Sequence, residues 1–198
     1  MRLLDRTGEI AERWTFVEGD DPVPNDLAPD GTVTDGPVSD GAVILPHARL
    51  GEALLLAAER PGKTGLHLEN DVDPRPLVEH FGALSLISVA FPSFADGRGF
   101  SIGRRLRDLG YEGRLRATGP VIADQFAYLL ECGFDEVWLP AAVAERQPVE
   151  SWLAQLSKVN LSYQRGQGAT GQGERRRSIL DRRRQAGGAQ TGGAQASP

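Results

Sequence analysis

From Gly41 onward, short apolar runs alternate with segments that have the pattern of capped amphipathic helices. Such an alternation constrains the fold strongly, because each helix returns the chain so that the next strand can pair in parallel with the one before it. The apolar runs predict strands at residues 43–45, 64–69, 84–90, 113–117 and 136–139. They therefore predict an α/β domain with a mainly parallel sheet of about five strands.

Two arrangements of such a sheet remain open. The first choice is a doubly wound open sheet with helices on both faces. The alternative is a partial β/α barrel, because five units are too few to close the eight-stranded form. In both arrangements ligands bind at the carboxyl ends of the strands, so the loops that follow the predicted strands are where a site is expected.

The sequence divides into three parts. Residues 1–40 are predicted as an N-terminal β-hairpin, whose second run ends in Trp14, Phe16 and Val17, followed by an acidic linker rich in proline. Residues 41–163 form the predicted α/β domain. Residues 164–198 are a basic tail rich in glycine, glutamine and arginine, which is predicted to be disordered because it has too few apolar residues to form a core.

Composition and charge exclude several function classes. The net charge of −5 belongs to an acidic body, whereas only the tail is basic, which argues against a nucleic-acid-binding core. A single cysteine excludes an internal disulfide, and three scattered histidines lack metal-ligand spacing. No apolar run reaches the ~20 residues that span a bilayer, and no secretory signal is visible, so we predict a cytoplasmic protein. No cofactor-binding motif is recognisable.

The loop after the strand at 84–90 carries the strongest indication of a binding site. It reads SFADGRGF and leads into an arginine-rich helix. Glycines let backbone N–H groups approach an anion closely, and a helix N-terminus adds the positive end of its dipole. The predicted anion-binding residues are Asp96, Gly97, Arg98, Gly99, Ser101, Arg104, Arg105 and Arg116. The alternative is a structural turn in which Asp96 caps the helix and pairs with an arginine.

Three further residues are candidates for a supporting role. His47 follows a predicted strand and has the chemistry of an acid or a base. Asp124 and Gln125 lie in the first turn of the next helix, where an acidic group also suits the helix dipole. Cys132 lies near a helix C-terminus, where the dipole disfavours a thiolate, so we predict a core residue rather than a nucleophile.

The run FPSFADGRGFSIGRRLRDLGYEGRLRATG, followed by VIADQFAYLLECGFDEVWL, resembles a bacterial family known as domain of unknown function 934. The resemblance covers about residues 41–163. Members are often labelled probable oxidoreductases and are typically encoded beside assimilatory sulfite or nitrite reductase. The resemblance therefore implies a role in sulfite reduction and cysteine biosynthesis, with the reductase as a partner. The family's usual aspartate-leucine-arginine run before the Asp-Gln pair is replaced here by Val121-Ile122-Ala123.

Three functions follow as hypotheses. The first is an accessory protein of sulfite reduction that binds an oxyanion, or an anionic cofactor such as sirohaem, and docks on the reductase. The second is a small enzyme that acts on an anionic substrate, with Asp96 or His47 as acid or base. The third is an interaction module without a ligand.

Overall fold

The computed structural model of the chain describes residues 1–24 and 41–158. These residues form eight strands: β1 (Arg2–Asp5), β2 (Gly8–Ile10), β3 (Trp14–Phe16), β4 (Ala42–Pro46), β5 (Thr64–Leu68), β6 (Leu86–Ala90), β7 (Arg114–Thr118) and β8 (Glu136–Leu139). The helices are α1 (Leu50–Glu59), α2 (Arg98–Asp108), α3 (Ala123–Glu131), α4 (Ala141–Ala144) and α5 (Val149–Lys158). Two 3-10 helices, His47–Arg49 and Arg75–His80, precede α1 and follow β5.

All eight strands belong to one sheet, in the order β2-β1-β8-β7-β6-β5-β4-β3. Strands β3 to β8 pair in parallel, each with the next strand in the chain. The hairpin of β1 and β2 joins β8 in antiparallel fashion. The predicted mainly parallel α/β sheet is therefore confirmed, and its five predicted strands correspond to β4–β8. The predicted number of about five strands is wrong.

The strand order also corrects the doubly wound arrangement. A doubly wound sheet reverses its strand order at a switch point, whereas the six parallel strands here follow the order of the chain without reversal. Right-handed crossovers between successive strands place the connecting helices on the same face. The architecture is the predicted alternative, a curled half-barrel sheet with helices on its outer face.

The curl is required by the short link between the two edge strands. Residues 11–13 join β2 to β3, although these strands lie at opposite edges of the sheet. Eight flat strands would separate those edges by about 34 Å, but this link spans at most about 14 Å from Ile10 to Trp14. The predicted second run of the hairpin is thus split: β2 completes the hairpin, and Trp14–Phe16 pairs with β4 instead.

The main core lies between the outer face of the sheet and the helices. Alternate residues of each strand point to this core, among them Leu45, Leu66 and Val89, and they pack against helix residues such as Leu106 and Phe126. The remaining strand residues point into the concave side, where even a charged residue, Arg116, and its partner Glu136 are buried. The buried charged side chains of the sheet therefore lie on its concave side.

Helix α2 begins at Arg98, within the run of predicted anion-binding residues. Gly99 therefore lies inside the helix against Phe91, where a Cβ atom would approach the phenyl ring to 2.6 Å. Gly103 lies against the ring of Phe134 in the same way. These two glycines let α2 pack closely on the sheet.

Parts of the sequence-based description lie outside the described residues. Most of the predicted acidic linker and all of the predicted disordered tail belong to residues 25–40 and 159–198. Within residues 1–24 and 41–158, no helix is long and apolar enough to cross a membrane.

Candidate functional site

The start of α2 is organised around the carboxylate of Asp96. Its Oδ1 accepts the backbone N–H of Arg98 at 3.1 Å, and its Oδ2 accepts the Arg98 Nη2–H at 2.7 Å. Asn70 donates to Oδ2 at 2.7 Å. The bonds from Arg98 and Asn70 hold the pKa of Asp96 well below its ordinary value. The carboxylate of Asp96 therefore occupies the position where the sequence predicts a bound anion, as in the alternative of a structural turn. Anion binding by Arg98 stays a prediction.

The glycines of this loop have ordinary backbone geometry. Gly97 precedes α2 with φ of −83°, in the range that any residue adopts. Gly99 is buried inside the helix, where it contacts Phe91. The structure thus gives Gly99 a packing reason that is independent of any ligand.

A cleft of about 530 Å³ lies along α2 and α3 and collects three predicted site residues. Ser101, Arg104 and Arg105 line it from α2, and Tyr128 and Cys132 line it from the α3 side. Arg104 lies 3.4 Å from Asp108, and Arg105 lies 3.9 Å from Asp73. Both arginine side chains are more than half exposed, and ion pairs of that kind contribute about 0–1 kcal/mol. Neither contact fixes its guanidinium firmly.

Cys132 is buried at the side of this cleft. Burial raises the pKa of its thiol above the ordinary value. A thiol with a raised pKa is a poor nucleophile at neutral pH. The structure therefore agrees with a core role for Cys132.

Arg116 does not join the other predicted arginines. Its side chain lies on the concave side of β7, where Nε donates to Glu136 Oε1 at 2.7 Å. Its two Nη groups donate to Glu12 at 2.8 and 3.0 Å. Arg116 is therefore neutralised by two carboxylates, away from the cleft that Arg104 and Arg105 line.

The predicted supporting residues have different positions. His47 is half-buried in the 3-10 helix that follows β4. Asp124 is exposed in the first turn of α3. Gln125 accepts the backbone N–H of Ile122 at 3.2 Å and donates to the carbonyl of Phe94 at 2.7 Å. Gln125 thus caps α3 and holds the loop before α2 in place.

Sequence reasoning missed a row of polar side chains on the concave side of the sheet. His67 Nδ1 lies 3.0 Å from Ser88 Oγ, and Ser88 Oγ lies 2.7 Å from Thr118 Oγ1. Burial lowers the pKa of His67 to about 4, so the imidazole is neutral at pH 7. In the sequence these residues appear only as one polar residue on each of three separate strands. Whether they lie close together depends on the strand register, which the sequence does not give.

The comparisons with known proteins add one finding about the chain. The model of a family described as "Bacterial protein of unknown function (DUF934)" matches residues 65–171, which is more than half of the chain. The matched region includes the loop of Asp96, the cleft along α2 and the concave row, which is the hydrogen-bonded set of His67, Ser88 and Thr118. No curated protein and no solved structure matches the chain.

Proposed function

Because the chain belongs to the DUF934 family of bacterial proteins, we propose that it is an accessory protein of assimilatory sulfite reduction that binds a small oxyanion or an anionic cofactor. The link to sulfite reduction rests on the resemblance of the region from Phe91 to Phe134 to proteins that are typically encoded beside sulfite or nitrite reductase. The reductase is the partner that this proposal implies.

The observation that carries the binding part of the proposal is the grouping of Ser101, Arg104 and Arg105 on one cleft. An oxyanion there accepts charge-assisted hydrogen bonds from two guanidinium groups and a bond from the Ser101 hydroxyl. The cost of releasing the arginines is small, because their contacts with Asp108 and Asp73 are long and solvent-exposed. Arg98, by contrast, would have to give up Asp96.

We expect the double substitution Arg104→Gln and Arg105→Gln to weaken binding of the preferred anion by about tenfold or more, since it removes two charge-assisted donors. Calorimetric titration of sulfite, sulfate, phosphate and sirohaem into the wild type and the double variant measures the effect. Arg146→Gln is the matched control, because Arg146 is an exposed arginine outside the cleft. This control should bind like the wild type.

Two outcomes of that titration would contradict the cleft as the binding site. One is equal affinity of the wild type and the double variant for every probe. The other comes from the same titration of Arg98→Ala: loss of binding in that variant alone would place the anion at the start of α2, as the sequence predicts. Absence of binding by all four probes would remove the anion-binding part of the proposal.

The physiological part of the proposal has its own test. Deletion of the gene should impair growth on sulfate or sulfite, because the accessory protein would be missing from the reduction step. Added cysteine or sulfide should restore growth, since both enter metabolism after that step. Growth rates on these four sulfur sources give the measurement. Normal growth of the deletion strain on sulfite, with no second copy of the gene present, would refute the role.

A small enzyme is the second candidate function, and the concave row favours it. His67, Ser88 and Thr118 form a continuous hydrogen-bonded chain that ends at the carboxyl end of β7, where β/α folds hold substrates. A neutral imidazole in such a chain can pass a proton. Asp96 is a weaker choice of base than the sequence suggested, because Arg98 stabilises its charged form.

A further inference from the structure

A basin of about 470 Å³ lies at the opposite end of the sheet from the loops discussed so far. Arg114 and Glu136, the first residues of β7 and β8, line this basin from the amino ends of those strands. Its apolar walls are Leu3, Ile10 and Trp14 from the N-terminal strands. The other lining residues are Ala11 and five charged residues, Asp5, Arg13, Arg114, Arg116 and Glu136. A concave site in which charged groups converge beside apolar walls suits a small polar ligand.

The floor of the basin is a buried carboxylate with an unused acceptor. The Glu136 side chain is 1% exposed, and its Oε1 accepts the Arg116 Nε–H. Its Oε2 accepts no hydrogen bond from the described residues, although Arg114 Nη1 lies 3.0 Å away as an ion-pair partner in poor hydrogen-bond geometry. A buried carboxylate oxygen without a donor costs free energy, so this atom favours a ligand group that donates.

The rim of the basin supplies the complementary charge. Arg114 is half-exposed, and its guanidinium has more N–H groups than its contact with Glu136 engages. The basin is close to neutral, because Arg13, Arg114 and Arg116 balance Asp5, Glu136 and Glu12, the last of which pairs with Arg116 behind the lining. A ligand with one positive and one negative group is complementary to the Glu136 carboxylate and the Arg114 guanidinium in such a neutral site.

We propose that this basin binds the zwitterionic group of a free α-amino acid with an apolar side chain. Glu136 Oε2 has almost no exposed surface in this structure, so the half-exposed Arg114 side chain turns from it to the ligand carboxylate, and the ammonium takes its place on Oε2. The ligand side chain contacts Leu3, Ile10 and Trp14. Burial raises the pKa of Glu136, so a cationic donor beside it also offsets the cost of its charge. The basin is separate from the arginine cleft, the cleft along α2 and α3 that Arg104 and Arg105 line, and does not depend on the function proposed for that cleft.

The test uses L-leucine and three relatives that each lack one feature, titrated calorimetrically into the full-length protein. Leucinamide lacks the carboxylate, 4-methylpentanoate lacks the ammonium, and L-serine lacks the apolar side chain. We expect saturable binding of leucine and at least about tenfold weaker binding of each relative, since each loses one of the three contacts. Binding of 4-methylpentanoate as tight as that of leucine, or no saturable binding of leucine, would overturn the proposal.

Two variants connect the binding to the residues named. Arg114→Gln should weaken leucine binding by about tenfold, because the carboxylate contact is lost. It should not weaken leucinamide binding, because leucinamide has no carboxylate and the variant lacks the cation that competes for Glu136. Arg6→Gln, an exposed arginine in the hairpin turn, is the matched control and should bind leucine like the wild type. Equal leucine affinity in Arg114→Gln and the wild type would contradict the proposal. Sulfite binding should be unaffected by Arg114→Gln, so failure here is distinguishable from failure of the arginine cleft.

Discussion

Replacement of Arg116 by alanine should lower the free energy of unfolding by about 3–5 kcal/mol. Arg116 is one of the few buried charged residues of the sheet, and it engages Glu136 Oε1 and both oxygens of Glu12. Its removal leaves the Glu136 carboxylate buried with Arg114 as its remaining ion-pair partner. Burial of a charge that has lost its closest partner is among the most destabilising changes that a single substitution makes. Urea denaturation of the variant and the wild type measures the difference.

The double variant Arg116→Met with Glu136→Leu separates charge burial from loss of packing. Apolar residues of similar volume remove both charges, so this variant should recover most of the stability that Arg116→Ala loses. Glu12 loses Arg116 in both variants, but it keeps hydrogen bonds from the backbone N–H groups of Arg13 and Trp14 and is partly exposed. A cost below about 1 kcal/mol for Arg116→Ala would show that water already solvates this network in the folded state.

The second large effect is expected for Gly119→Ala, which should lower the free energy of unfolding by about 4 kcal/mol or more. Gly119 follows β7 with φ of +140°, a conformation that other residues rarely adopt. A Cβ atom there would overlap the backbone carbonyl of Phe91, which cannot rotate away as a side chain can. The backbone on both sides is fixed, since Phe91 donates to Thr118 and Gly119 donates to Trp138.

Gly110→Ala is the matched control for that substitution. Gly110 also has a positive φ, of +100°, but a Cβ atom would meet nothing within 4 Å. It should cost only the conformational strain, about 1–2 kcal/mol. Thermal and urea unfolding of the two variants give the comparison. Equal costs at the two positions would mean that the loop of Phe91 yields to the added methyl group.

The strands and most helix positions were predictable from the sequence because their signals are local. Apolar runs bounded by glycine and proline place β4–β8, and the residues around Pro74 and Pro148 mark where helical segments begin. Local patterns were less reliable for the orientation of α1. Helical spacing places Leu50, Leu54 and Leu55 on one face, yet Leu55 is exposed and Ala53 and Ala57 are buried. The buried positions of α1 are thus filled by small side chains.

The features that the sequence did not reveal depend on contacts between distant residues. Trp14–Phe16 has the pattern of a hairpin strand, and only its pairing with β4 shows that the sheet is curled. The candidate site has the same limit. The groups near Asp96 and Arg98 were identified, but the bond from Asn70, 26 residues away, was not predictable from spacing. Likewise, the sequence gives no sign that Arg116 lies on the concave side with Glu12, 104 residues away.

The link of residues 11–13 has a practical consequence for choosing fragments to express. The first 17 residues supply the strands that pair with both edges of the β4–β8 sheet, since β1 pairs with β8 and β3 pairs with β4. The family match begins at residue 65, so a fragment cut at that boundary would lose β1–β4 and expose the unpaired backbone of β5 and β8. Uncovered strand edges are templates for intermolecular pairing, which leads to aggregation. A fragment chosen for expression should therefore include the N-terminal strands, although the family match does not.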